Sequence, residues 1–153
     1  PLKIKDYIKS LKFPNNFESY KSYSFVVPDK YMNICPMLDI KKSELFGPNL
    51  SLRAFSEGHA RHAKFVIISK DELVISIGVK NDYYGDPNHR WDIQLPDFIN
   101  FAGVMAVTYY IIGQIQNSKP QYYKKNIFKY VNNYGPKAYG KTLPFDLIVA
   151  GSK

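Results

Sequence analysis

Residues 98–115, FINFAGVMAVTYYIIGQI, are apolar almost all round, with Asn100, Thr108 and Gln114 as the exceptions. A segment of this kind has to be covered on every side, so it reads as a central helix around which the rest of the chain packs. A membrane span needs about 20 such residues. This segment is shorter and is interrupted by Gly103 and Gly113. Asp97, directly after Pro96, is the expected N-cap.

What covers that helix is read from the flanking patterns. Residues 65–69 and 73–79 are rich in Val and Ile, and the polar Lys70-Asp71-Glu72 between them suggests a hairpin loop. Ser76 and Gly78 alternate with Ile75, Ile77 and Val79, as in a sheet with one covered face. Residues 23–27 form a further strand that stops at Pro28. Residues 142–149, TLPFDLIV, read as a last strand returning to the sheet.

Residues 2–11 space Leu2, Ile4, Tyr7, Ile8 and Leu11 as a short amphipathic helix, ended by Phe13-Pro14. Residues 31–38 are broken by Pro36, and residues 43–46 give one helical turn before Gly47-Pro48. Residues 50–64 suggest a helix capped by Ser51, with His59 and His62 on one face. Residues 118–134 suggest another, with Ile127, Tyr130, Val131 and Tyr134 inward and Lys124, Lys125 and Lys129 elsewhere, stopped by Gly135-Pro136. The expected fold is therefore α+β: a small antiparallel sheet packed by a buried central helix and flanking amphipathic helices.

The length of 153 residues suits a single globular domain. The chain opens at Pro1 without a methionine, and reads as a fragment or processed product of a longer chain. Its formal charge of +8 favours anionic partners, whether nucleic acid, a membrane surface, an anionic substrate or an acidic cognate protein. Aromatic residues make up 16% of the chain, and tyrosine accounts for 13 of them. Tyrosine rings can stack on bases or sugars while the hydroxyl stays wet. The lone cysteine, Cys35, has no partner for an internal disulfide and reads as a small buried apolar residue.

The stretch 79–98, VKNDYYGDPNHRWDIQLPDF, concentrates the chemistry. Asp82, Asp86, His89, Arg90 and Asp92 could supply an acid or base, an orienting carboxylate and a cation for developing negative charge. Tyr84 joins them as a candidate catalytic residue, and Tyr83 and Trp91 as candidate substrate-binding residues. Asp82 sits three residues beyond the expected 73–79 strand, where a carboxylate could orient His89 or bind a cation together with Asp86. Arg90 could fork onto a phosphate or pyrophosphate. Phosphate-loop, dinucleotide and serine-nucleophile signatures are missing, so hydrolysis by water is the simplest enzymatic reading.

From Asp82 to Arg90 the sequence resembles the catalytic modules of delivered antibacterial toxins, most closely the colicin M-like bacteriocins. That family carries Asp-x-Tyr-Asp followed by His-Arg. Asp82-Tyr83-Tyr84 matches the opening, Asp86 stands one place beyond the second aspartate because Gly85 intervenes, and His89-Arg90 matches the closing pair. The resemblance implies a hydrolytic effector acting on a lipid-linked cell-wall precursor near its pyrophosphate, with a divalent cation, in the target-cell periplasm. It also implies a cognate immunity protein as partner. Two alternatives stand beside it: a basic, tyrosine-rich nucleic-acid-binding module, and a non-enzymatic viral or interaction protein.

Overall fold

The structure, a computed structural model, describes residues 2–63 and 68–146. Its centre is a four-stranded sheet in the order β2-β1-β3-β4, with β1 Ser22–Val27, β2 Ser51–Ser56, β3 Glu72–Ile77 and β4 Arg90–Ile93. Every neighbouring pair is parallel. The architecture is α/β, and the expected antiparallel sheet is wrong.

The hairpin fails for a specific reason. One edge of β3 is taken by β1, with Ser22 opposite Glu72 and Val26 opposite Ser76. Its other edge is taken by β4, with Val74 opposite Arg90 and Ile77 opposite Ile93. Both edges of β3 are therefore filled by parallel partners, which leaves no place for an adjacent antiparallel strand. Residues 64–67, the heart of that proposed partner, lie outside the described residues. In the last proposed strand, residues 142–146 form turns and irregular backbone, and 147–149 also lie outside.

Parallel strands need crossovers, and the chain supplies them on both faces. From β1, helix α2 (Ile34–Phe46) leads to β2 and puts Ile34, Leu38 and Phe46 into the main core. From β2, helix α3 (Glu57–His62) leads back past β1 to β3, with Ala60 packed against Val26 and Val74 on the opposite face. Reversing direction across the sheet while keeping one hand of crossover demands that change of face. β3 is consequently buried on both sides at all six residues, Ser76 included, and the expected single covered face does not hold.

The main core joins Tyr23, Phe25, Leu52, Leu73, Ile75, Ile77 and Ile93 of the sheet to α2 and to α4 (Phe101–Ser118). Helix α4 buries Val104, Val107, Thr108, Ile111, Ile112 and Ile115, a 3.6-residue stripe. It starts three residues later than expected because the Asn100 side chain, not Asp97, accepts the Gly103 N–H, at 3.1 Å. Among the described residues no helix is long and apolar enough to cross a membrane. Helix α1 (Leu2–Ser10) lies against α4, and the Tyr7 hydroxyl reaches the Gln94 carbonyl.

Three local expectations change for local reasons. Pro36 does not break its segment: it is the third residue of α2, where its missing N–H has no helical partner to lose. The expected helix 50–64 is half strand, and its cap is Ser56, whose Oγ accepts the His59 N–H. Gly135-Pro136 does not stop the last helix. Helix α5 (Tyr122–Lys129) widens into a π-turn over Tyr130–Tyr134 and continues as the short α6 (Gly135–Ala138).

The second sheet face carries a polar clamp that nothing in the pattern announced. Buried Glu72 accepts from Ser24 Oγ at 2.6 Å, from Ser22 Oγ at 3.1 Å and from the Arg53 guanidinium. One carboxylate thus ties β2, β1 and β3 together.

Candidate functional site

Because β3 and β4 run parallel, the 79–89 loop has to carry the chain from the carboxyl end of one to the amino end of the other. It crosses the second sheet face, and its backbone groups need partners on the way. Asn81, buried, organises the first turn. Its Oδ1 accepts the N–H groups of Tyr83 and Tyr84 at 3.2 and 2.8 Å, and its Nδ2 donates to the Tyr84 carbonyl at 2.9 Å. The Asp92 carboxylate accepts the Asn81 N–H at 3.2 Å. Gly85 adopts φ 71°, and a Cβ there would lie 2.4 Å from Val74 Cγ2. Only glycine lets the loop lie this close to the sheet.

Arg90 closes the loop from below. Its Nε donates to the Tyr84 carbonyl at 2.9 Å, Nη1 to Asn81 at 3.2 Å and Nη2 to Gly85 at 2.7 Å. Each guanidinium nitrogen holds a loop carbonyl, which takes the fork away from a phosphate. Tyr84 is buried against Val26, Ala60 and Val74, and its hydroxyl donates to the Glu57 carbonyl at 3.2 Å. Asp86, also buried, accepts the Asn88 N–H at 2.9 Å and caps the 3-10 turn Pro87–His89. Tyr84, Asp86, Arg90 and Asp92 therefore shape the loop, as Asn81 does. Asn81 escaped the sequence reading, although an Asn two and three residues before backbone donors is the ordinary signal of such a turn.

The remaining residues separate. The Asp82 carboxylate lies exposed in an ion pair with Lys80, at 2.8 Å. Tyr83 is 74% exposed beside it. Trp91 points to the opposite sheet face, 4.7 Å from the Phe13 ring and 5.8 Å from Phe17. His89, at the amino end of β4, places Nδ1 2.8 Å from the Tyr20 hydroxyl. Asp82 follows Asn81, which is tied to Asp92. The structure thus sets His89 against Tyr20, with the Asp86 charge near enough to act on that hydroxyl, and pairs Asp82 with Lys80.

Tyr20 was not visible as a site residue from sequence, being 69 positions from His89. Burial, and after it the Asp86 charge, push the Tyr20 hydroxyl above its ordinary pKa. The hydroxyl can donate to Nδ1 in one imidazole tautomer or accept from an Nδ1 N–H in the other. This pair can pass a proton. Among the described residues, no three or more His, Cys, Asp or Glu side chains come together to hold a metal. His59 and His62 are exposed on α3.

A second candidate surface lies in the C-terminal helices. Between Phe98 and Phe145 there are six lysines and no aspartate or glutamate. The rest of the chain is nearly balanced, 15 basic residues against 13 acidic. Helix α5 turns Tyr122, Tyr123, Asn126 and Ile127 inward and exposes Lys124, Lys125, Phe128 and Lys129. Beyond it Tyr134 and Tyr139 are 67% and 69% exposed, and Lys137 is exposed as well. The backbone folds back here, Phe145 N–H donating to the Val131 carbonyl at 2.9 Å. The return sets Phe145 against Tyr139, with ring centres 5.6 Å apart, and under the Lys141 ammonium at 5.5 Å.

No protein-family model matches the chain, and no curated protein matches its sequence.

Proposed function

We propose that this chain is a nucleic-acid-binding module that grips single strands on the lysine and aromatic surface of α5 and α6. The observation that carries the reading is the acid-free segment itself. Lys124, Lys125, Lys129, Lys137 and Lys141 are exposed there among Phe128, Tyr134 and Tyr139. Lysines neutralise phosphates and release counterions, while exposed rings offer bases a stacking surface without selecting among them.

Fluorescence anisotropy with labelled single-stranded and duplex oligonucleotides tests it. Five phosphate contacts predict a roughly hundredfold loss of single-strand affinity between about 50 and about 200 mM salt. Replacing Lys124, Lys125 and Lys129 together by alanine should flatten the logarithmic salt slope by about 2. Vesicles rich in anionic lipid serve as the comparison. Absence of binding at the lower salt, or a preference for vesicles over oligonucleotides, sinks the proposal.

A second reading, the hydrolytic effector acting on a phosphorylated or pyrophosphate substrate, is favoured by the Tyr20–His89 hydrogen bond with Asp86 close by. His89 would be its proton-transfer group. Expression in bacterial cytoplasm and periplasm, with and without His89→Ala, separates the two. Growth inhibition that vanishes with the substitution supports the effector, and equal growth in all four cases removes it.

A further inference from the structure

Helices α2 and α5 enclose a groove of about 700 Å3. Its lining residues include Tyr122, Tyr123, Tyr130, Ile127, Asp39 and Glu44. That volume is within the usual range for small-molecule sites. The lining chemistry is unlike the rest of this basic protein: aromatic faces and acid, with the α5 lysines turned to the other side of the helix.

The two carboxylates differ. Glu44 is neutralised by Lys41. Asp39 makes no ion pair and no side-chain hydrogen bond among the described residues, and so is the lining carboxylate without a cation on it. The aromatic wall is held in place from behind. Gly47 has φ 56°, and a Cβ on it would lie 2.4 Å from Tyr122 Cζ, so the Tyr122 ring rests directly on the Gly47 backbone. Beside the groove lining, the Lys41 ammonium lies 5.9 Å from the centre of the Tyr109 ring, and its pKa is raised by Glu44 first, with Tyr109 and Tyr123 contributing.

We infer that this groove binds a small organic cation, an alkylated ammonium, with its head group against the tyrosine rings and its charge facing Asp39. Ring faces attract cations through their quadrupole, and alkylated ammonium ions lose little hydration on entering an aromatic site. A primary ammonium holds its water more tightly and fits less well. The site is separate from the lysine surface, and its occupancy does not depend on nucleic-acid binding.

The test is a titration of the intact chain with choline, followed by amide NMR shifts. Its neutral carbon isostere, 3,3-dimethyl-1-butanol, is the control. Choline should saturate at about 1 mM, a reasonable affinity for so few atoms. Shifts should centre on α2 and α5. The isostere should bind at least roughly tenfold more weakly, and Asp39→Asn should weaken choline by a similar factor. Asp39 is exposed, so that isosteric variant should keep the fold, which circular dichroism checks. Tyr123→Leu should weaken choline more than it weakens the isostere. Equal binding of choline and the isostere would overturn the inference. So would unchanged choline affinity in folded Asp39→Asn, or the absence of saturable shifts.

Discussion

Replacing Arg90 by methionine keeps the aliphatic stem and removes the guanidinium. The three loop carbonyls it holds, at Asn81, Tyr84 and Gly85, then lose a charged donor. Hydrogen bonds to charged groups contribute about 1.5–3 kcal/mol each. Arg90 itself is half-buried, so water recovers part of that loss, but Asn81 and Tyr84 are buried and their carbonyls are poorly placed for solvent. A net cost of about 2–4 kcal/mol follows. For a domain of this size that lowers Tm by roughly 5–15 °C. Trp91, the neighbouring residue on β4, packs against Phe13 and Phe17 and reports unfolding through its fluorescence. Thermal and urea melts of Arg90→Met against the parent are the assay. A Tm within about 2 °C of the parent would show that the loop stands without its staple, and would return Arg90 to the list of groups free for chemistry.

Asp82→Asn should melt within about 1 °C of the parent, since it removes only an exposed ion pair with Lys80; a large loss of stability would show that Asp82 shapes the loop. Gly85→Ala should cost about 2–4 kcal/mol in a urea melt, because it combines a left-handed φ with contact on Val74 Cγ2. The Cys35 thiol, pushed up to about 11 chiefly by burial, should resist alkylation at pH 8 in the native state and react promptly in denaturant. Tyr23, pushed up to about 12 by burial first, holds its proton more tightly folded than unfolded. Its contribution to stability is intact below about pH 10 and lost as pH rises through about 12. Denaturation midpoints measured from pH 9 to 12 should fall accordingly, and a flat profile would contradict the burial of both groups.

The sequence alone locates the buried helix and the strand cores at Tyr23–Val27 and Leu73–Ile77, because their apolar and β-branched composition is local, and the N-terminal helix Leu2–Ser10, because its apolar spacing is. It also determined the charge asymmetry, which needs only counting. It could not decide strand direction. β1 and β3 pair residues about 50 positions apart, Ser22 with Glu72, and nothing local distinguishes a strand that will lie between two parallel neighbours from one half of a hairpin. The candidate site shows the same division. Asp82 to Asp92 are adjacent in sequence, yet the loop spans the sheet and the pleat of β4 then sends Arg90 and Trp91 to opposite faces. Period-two alternation over Arg90–Ile93 would have warned of that split, had a four-residue strand been recognisable within a polar loop. Tyr20, the partner of His89, and the tyrosine groove beside Asp39 belong to the tertiary structure alone. Their groups come from distant segments that meet only once the parallel sheet is formed and the helices have packed on it.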